Sequence, residues 1–410
     1  MKNKKLPARA MLYAILISLL IAIIAGALII MSFNQRMLQE RAFLQERLIR
    51  NAASGMQLLL SLEEVPDKAI DLFEKQRDSL TLERSAWGLF ELGRSSAFHG
   101  RDTFTKVALL GLLPQAAQQA ALYLADGNSP LAVCGKTTII GDAYLPRSGV
   151  KRGHIPNAHY QGEKMVYGDI KVSKINLPAF NEKKLTELKN MPAELIANAS
   201  LDQDSIIGNF ANPPTIIRGQ VLRIDRKVLK GHVILIAEQA IYFGANAVVE
   251  DILAFAPQII FEEGFEGQLQ AVAGDSLYVA SNCRFHYPTS LGVLRSKVNE
   301  AAAFLQIDSL TELKGIVWVK ELVTGRQKAR AVIATSSFIE GDVYVDGYLD
   351  FQALVYGTVA CRKFSLRTAA SVYENHLLNA TIDVTKRHKA FLLPSFWEEM
   401  GKRRAVLKWL

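Results

Sequence analysis

The sequence predicts a mainly β protein: a parallel β-solenoid with helical insertions, preceded by an N-terminal transmembrane helix and a helical stalk. Three observations predict this fold. Residues 10–33 carry no charge, a short phrase built around glycine recurs seven times between residues 139 and 361, and an apolar pattern repeats with a nearly constant step. The first observation indicates a membrane anchor, and the other two indicate a repetitive β body.

The composition indicates an ordered chain that is long enough for two or three domains, or for one elongated domain. Half of the 410 residues are apolar and 21% are charged, which excludes extensive disorder. The formal net charge is +8, but Lys and Arg are spread along the chain without dense blocks. Because no RRM, KH or helix-turn-helix pattern accompanies this diffuse charge, a nucleic-acid partner is not predicted.

Residues 10–33 are long enough to cross a bilayer as one helix. At about 1.5 Å per residue, a helix over this range exceeds the ~30 Å hydrocarbon layer. A removable signal peptide is the alternative, and Ala25-Gly26-Ala27 resembles a cleavage site, yet apolar residues continue to Phe33. Since the apolar core of a signal peptide usually has about 7–15 residues, the pattern favours an uncleaved anchor with the lipid bilayer as its partner.

The charges that flank this span predict its orientation. Residues 1–9 contain the basic residues Lys2, Lys4, Lys5 and Arg9, and no acidic residue appears before Glu40. By the positive-inside rule, the basic N-terminus is expected in the cytoplasm. The long C-terminal part of a single-pass protein of this kind is then expected on the extracytoplasmic side.

The chain after the span divides into four predicted segments. They are a helical stalk at 34–60, an α/β or β-rich membrane-proximal region at 61–128, the β-solenoid at 129–365, and a C-terminal cap or docking tail at 366–410. The stalk is predicted because apolar residues keep helical spacing and no proline interrupts them before Pro66. Within the solenoid, helical insertions are predicted near 179–199 and 296–306.

The recurring phrase consists of an apolar residue, any residue, glycine, any residue and a second apolar residue. It occurs around Gly141, Gly168, Gly219, Gly231, Gly315, Gly341 and Gly357. No copy precedes Ile139, so the phrase marks one part of the chain. Glycine at a repeated position is typical of corners, because a corner needs backbone freedom that a Cβ atom restricts.

A second pattern runs between these copies and has a nearly constant period. The apolar residues Leu222, Ile241, Ile259 and Leu277 begin equivalent stretches. Their period of roughly 18 residues is too short for a solenoid of helical hairpins, and it suits one coil of a parallel β-solenoid whose strands stack about 4.8 Å apart. The alternative is an antiparallel sandwich with incidental glycines, which predicts no constant step.

Two stretches resemble a known family. Ile339-Glu-Gly-Asp-Val-Tyr-Val-Asp-Gly-Tyr-Leu349 and Val355-Tyr-Gly-Thr-Val359 resemble the bactofilins. That resemblance implies a right-handed β-helix of short coils that forms polymers in bacteria. A fainter resemblance links the basic N-terminus and apolar helix to pilin-like proteins, although Ile15 stands where their leader-peptidase signature has Glu.

No catalytic, cofactor-binding or metal-binding residue is predicted, but one group of carboxylates allows a hypothesis. Glu262, Glu263 and Glu266 lie near a predicted corner, and Glu262 beside Asp251 or Glu250 could form an acid–base pair. Such pairs hydrolyse glycosidic bonds, so polysaccharide is a possible ligand. The preferred interpretation is that these are solvated turn residues.

Other candidate residues favour structural interpretations. Cys134-Gly135-Lys136-Thr137 ends like a P-loop, but Pro130 occupies the place of the first glycine that a P-loop needs. The pair His154 and His159 is interpreted as part of a solvated loop rather than a metal site. The aromatic residues near the coils could form a sugar-binding face but are interpreted as packing residues. They are Tyr242, Phe261, Tyr278, Phe285 and Tyr287, and the cysteines Cys134, Cys283 and Cys361 are interpreted as separate core thiols.

These patterns lead to a hypothesis of function. The leading expectation is a non-enzymatic bacterial cell-envelope protein, held in the inner (cytoplasmic) membrane, whose periplasmic solenoid acts as a scaffold or docking surface for protein partners or for self-association. The alternatives are a carbohydrate-active β-helix enzyme and a pilin-like subunit of a secretion or uptake machine.

Overall fold

The computed structural model describes residues 8–71, 78–114, 120–156, 158–296, 302–323, 327–368, 371–396 and 403–410. The chain forms two compact units. The first comprises Met1–Leu59, Val65–Leu82 and Ser95–Lys106, and the second comprises Leu60–Glu64, Glu83–Arg94 and Val107–Leu410.

The described residues form two α-helices, one 3₁₀ turn and twenty-six strands. The helices are α1 (Ala8–Ser61) and α2 (Glu182–Glu194), and the 3₁₀ turn is Val384–Lys386. The strands are β1 (Ser79–Trp87), β2 (Phe90–His99), β3 (Asp102–Leu112), β4 (Leu122–Leu124), β5 (Leu131–Cys134), β6 (Thr138–Ile140), β7 (Ala143–Leu145), β8 (Val150–Arg152), β9 (Ile170–Val172), β10 (Ser205–Gly208), β11 (Thr215–Ile224), β12 (Val228–Gly231), β13 (Val233–Phe243), β14 (Val248–Phe261), β15 (Glu266–Val279), β16 (Arg284–Arg295), β17 (Phe304–Ile307), β18 (Glu312–Glu321), β19 (Arg330–Ile333), β20 (Phe338–Phe351), β21 (Leu354–Tyr356), β22 (Val359–Arg367), β23 (Val372–Glu374), β24 (His376–Leu378), β25 (Thr381–Asp383) and β26 (Arg404–Trp409).

Helix α1 is continuous over 54 residues. It is long and apolar enough to cross a membrane, and the side chains of its apolar part are not covered by protein. Further along, Leu48, Ala52 and Met56 are buried at one helical face inside the first unit. The long apolar N-terminal helix that the sequence predicts is therefore present, and it could engage a membrane.

A buried carboxylate helps to hold the first unit together. Asp78 accepts hydrogen bonds from Arg47 at 2.9 Å and from Asn51 at 3.0 Å, and it lies 2.8 Å from the Nδ1 atom of His99. Buried charges are tolerated when they are paired in this way. The cluster links the C-terminal half of α1 to β2 within this unit.

The second unit contains most of the β structure, and its main sheet is almost entirely parallel. Nineteen strands pair in a sheet that begins at β10 and ends at β9. Six of them form a closed circuit of parallel pairings, in the order β15, β16, β18, β20, β19 and β17, and the other strands lie outside it. The prediction of a mainly β body after a long apolar helix is confirmed, whereas the finer prediction of a solenoid stays a prediction.

The register of the sheet aligns apolar residues in columns. Ile241 pairs with Ile259, which pairs with Leu277, and all three side chains are fully buried. The column continues through Leu305, Ala331 and Leu349. A second column contains Leu235, Ala254, Ala271, Leu291, Val317, Val343 and Val359. These columns belong to one hydrophobic core of the second unit.

The glycine of the recurring phrase has a steric reason in one part of the sheet. Gly315, Gly341 and Gly357 have φ values of +148°, +142° and +159°. A Cβ atom on Gly341 would lie 1.8 Å from the carbonyl oxygen of Gly315, and a Cβ on Gly357 would lie 1.9 Å from that of Gly341. Only glycine fits here, because the backbone of the preceding strand occupies the space of a side chain.

The first of the two predicted helical insertions, near 179–199, contains a helix. The second prediction, near 296–306, is wrong over the residues of this range that the structure describes. Helix α2 lies within 179–199, and its N-cap Asn181 accepts a hydrogen bond from the backbone N–H of Lys184. In 296–306, residues 297–301 lie outside the described residues, and Phe304–Ile307 form strand β17. Burial alternates along this stretch as it does in a strand, because Leu305 and Ile307 point into the core while the residues beside them do not.

Candidate functional site

Two of the carboxylates weighed for glycan chemistry, Glu250 and Asp251, are paired with a cation. Lys408 places its Nζ atom 2.7 Å from Asp251 Oδ2 and 3.1 Å from Glu250 Oε1, and it also bonds Gln268 at 3.2 Å. The hydrogen bond from Lys408, together with one from Lys230, lowers the pKa of Glu250 despite partial burial. A general acid needs a raised pKa, so Glu250 is unsuited to that role.

The other acidic residues lie elsewhere on the surface. Glu262 and Glu263 follow β14 in an exposed bend, whereas Glu250 and Asp251 lie near the beginning of that strand. Glu263 accepts a hydrogen bond from Asn282 at 2.9 Å, and the nearby Glu266 contacts His286. The described contacts do not join Glu262 to Glu250 or Asp251, so the geometry does not favour an acid–base pair.

The P-loop-like stretch is part of the packed sheet. The hydroxyl of Thr137 donates to the carbonyl groups of Cys134 at 2.7 Å and Leu377 at 3.0 Å. The backbone N–H of Lys136 donates to the side chain of Asn379. These bonds tie the turn to the neighbouring strand and leave it no open anion-binding loop.

The cysteines and histidines form no metal site among the residues that the structure describes. All three cysteines are buried as free thiols. Burial raises the pKa of Cys283 to about 11 and that of Cys361 well above its usual value, so both stay protonated at neutral pH. The rings of His154 and His159 contact each other, with centroids 4.6 Å apart and planes tilted by 46°.

Most of the aromatic residues weighed as a sugar-binding face are occupied inside the protein. Phe261 and Phe285 are fully buried, and Phe261 stacks on Phe243 with centroids 4.9 Å apart and planes 9° apart. The hydroxyl of Tyr287 donates to the carbonyl group of Leu392, and burial raises the pKa of this tyrosine. Tyr242 lies under the guanidinium of Arg223, and Tyr278 bonds Asp308. Phe261, Phe285 and Tyr287 are therefore packing residues.

A buried ion cluster in the second unit was not foreseen from the sequence. Glu91 binds Lys184 at 2.8 Å and Arg404 at 2.8 Å, and Arg84 lies 3.7 Å away. Burial alone would raise the pKa of Glu91, but the hydrogen bonds and positive charges of Lys184 and Arg404 lower it. We name these four residues the Glu91 cluster; it links β1, β2, α2 and β26, and every member has a structural partner.

At the end of the main sheet, strand β9 has one side without a partner strand among the described residues. Ile170 pairs with Ala143 and Val172 pairs with Leu145, and both partners are fully buried core residues. Ile170 and Val172 therefore occupy core positions, yet they are 53% and 63% exposed. The intervening Lys171 bonds Asp142 at 2.7 Å on the outer surface. We name Ile170, Lys171 and Val172 the β9 edge.

At the other end of the same sheet face, the core position is covered by protein. Ile217, at the corresponding core position, is only 1% exposed. Asn198 accepts a hydrogen bond from Ile216 N–H at 2.7 Å and donates its own backbone N–H to Ile216 at 3.0 Å. Ala199 forms a parallel bridge with Ile217. The two ends of this face therefore differ, and the β9 edge is the candidate functional site.

The arrangement at the β9 edge presents an unpaired strand edge with two exposed apolar side chains. Strand β9 pairs with β7 along one side, and the described part of the chain provides no strand for its other side. Sheet edges of this kind bind further strands through backbone hydrogen bonds. No protein-family model matches the chain, and comparisons with curated proteins and with solved structures also found no match.

Proposed function

We propose that this chain is a single-pass, membrane-anchored scaffold of the bacterial cell envelope. In this proposal, residues 10–33 cross the cytoplasmic membrane, residues 1–9 lie in the cytoplasm, and the β body lies in the periplasm. The body is a parallel β-solenoid that binds protein partners or further copies of itself, and it carries out no catalysis.

The observation that carries the proposal is the in-register column of core residues. Ile241, Ile259 and Leu277 are partners on successive strands, and this register supports a fold with one coil per repeat. The closed circuit of six strands is compatible with a solenoid. In that interpretation β16 and β17 together form one coil and β18 and β19 the next, and these two coils lie between β15 and β20. A stack of coils with one shared interior is stiff, which suits a scaffold.

Maleimide labelling of introduced cysteines can test the compartment of the β body, because the native cysteines are expected to give little background signal. All three are buried, so the wild-type protein is expected to react little with a membrane-impermeant maleimide. Gln203 is exposed in the second unit, and Gln203→Cys is expected to be labelled in spheroplasts whose inner membrane is intact. Lys4→Cys should be labelled only after lysis. Labelling in the opposite order would contradict the proposed topology.

A further inference from the structure

Among the strands that the structure describes, none covers the core positions of the β9 edge. Val359, Leu122 and Ala143 precede Ile170 in one column, and each of the three is fully buried by the strand after it. Ile170 has no such cover, and the same holds for Val172 at the other end of the short strand. A further parallel strand with apolar residues at alternate positions would bury both side chains.

The charge around β9 indicates which type of residue a bound strand would carry between its two apolar positions. Lys171 points to the outer surface, where its ammonium lies 5.7 Å from the centroid of the Tyr144 ring. Residues 142–176 around the edge contain six basic and three acidic residues, so the local charge stays positive although Asp142 already pairs with Lys171. The basic residues are Arg147, Lys151, Arg152, Lys164, Lys171 and Lys174, and the acidic ones are Asp142, Glu163 and Asp169. An acidic residue opposite Lys171 is complementary to this field.

A second copy of the chain is a poor occupant of this edge. Head-to-tail stacking would have to place the strand edge at Ile217 against β9. That edge is already used by Asn198, whose side chain and backbone bond Ile216, and by Ala199. The occupant is therefore sought in another protein.

We propose that the β9 edge binds an extended apolar–acidic–apolar segment of a partner protein as an additional parallel strand. This inference rests on the proposed docking function and names its site and the chemistry of its partner. The two apolar side chains cover Ile170 and Val172, and the acidic side chain lies beside Lys171. Backbone hydrogen bonds supply affinity, while the alternating side chains supply specificity.

The test uses the full-length protein in detergent micelles and a fluorescein-labelled synthetic peptide with a valine–aspartate–valine centre. Fluorescence anisotropy is expected to show saturable binding, and Val172→Lys is expected to weaken it by about tenfold or more, since a charged side chain then replaces an apolar contact. Ile207→Lys is the matched control, because Ile207 is 72% exposed on β10. It should leave binding unchanged.

Charge reversal completes the test. Lys171→Glu should weaken binding of the aspartate-centred peptide and strengthen binding of a lysine-centred one. Absence of saturable binding, equal binding by Val172→Lys, or an equal effect of Ile207→Lys would overturn the proposal. Concentration-dependent self-association in sedimentation velocity that Val172→Lys abolishes would also overturn it, in favour of a second copy. The cysteine labelling described above is independent of these outcomes, so failure here is distinguishable from failure of the proposed membrane topology.

Discussion

Gly341→Ala is expected to lower the free energy of unfolding by about 3 kcal/mol, because strained backbone and overpacking each cost about 1–3 kcal/mol. The substitution adds a Cβ atom 1.8 Å from the carbonyl oxygen of Gly315 and places it on a residue with φ of +142°. Both effects act on backbone atoms, which cannot move aside as a flexible side chain can. Chemical denaturation in detergent micelles, followed by tryptophan fluorescence, measures the loss.

Gly274→Ala is the matched control for this prediction. A Cβ atom on Gly274 would lie 3.6 Å from the nearest heavy atom, which is ordinary van der Waals contact. We expect a change within about 0.5 kcal/mol of the wild-type value. If the two variants lost similar stability, the steric explanation of the glycine phrase would be wrong.

Glu91→Gln is the second substitution with a large expected effect. It removes the buried carboxylate that faces Lys184 and Arg404 at 2.8 Å each, and it leaves these two partly buried cations without their counterion. Breaking a buried pair from one side typically costs about 3–5 kcal/mol, because the remaining charge is desolvated without compensation. The exposed i,i+4 pair of Glu46 and Arg50 provides the control, and Glu46→Gln should cost less than about 0.5 kcal/mol.

The pH dependence of Glu91→Gln follows from the direction of the pKa shift. The folded protein lowers the pKa of Glu91 from its usual value of 4.5. The carboxylate therefore contributes its full stability above that pH and loses it as the pH falls through the lower folded value. The difference between wild type and Glu91→Gln should be large at neutral pH and should shrink below about pH 4.5. A difference that stayed constant down to about pH 3 would contradict the role given to Lys184 and Arg404.

The sequence predicts those features of the fold that depend on local repetition. The steps between Ile241, Ile259 and Leu277 correspond to neighbouring positions in the sheet, since no insertion interrupts the chain there. The next partner of Leu277 is Leu305, which lies further along the chain than one repeat, because residues 296–303 separate β16 from β17 in the sequence. That interruption hides the period. The helical insertion predicted near 296–306 overlaps this interruption, and its last residues, Phe304 to Gln306, belong to strand β17.

The polar features could not be read from the sequence because their members are distant along the chain. The Glu91 cluster joins residues 84, 91, 184 and 404, and Lys408 reaches Glu250 and Asp251 from the C-terminal strand. No local pattern links such residues. The β9 edge was missed for a different reason: Ile170 and Val172 alternate like any half-buried strand, and only the register shows that their core positions are uncovered.

In the proposed solenoid, successive coils stack in parallel with a fixed register. Gln258 and Ser276 are partners on β14 and β15, immediately before Ile259 and Leu277. Cα atoms so paired lie about 4.8 Å apart, within the ~4.4–6.8 Å that a disulfide requires. The double variant Gln258→Cys/Ser276→Cys is therefore predicted to form an intramolecular disulfide on mild oxidation, detected by mass spectrometry of a non-reduced digest. The shifted pair Gln258→Cys/Tyr278→Cys is predicted not to, and crosslinking of the shifted pair in preference to the paired one would contradict the account.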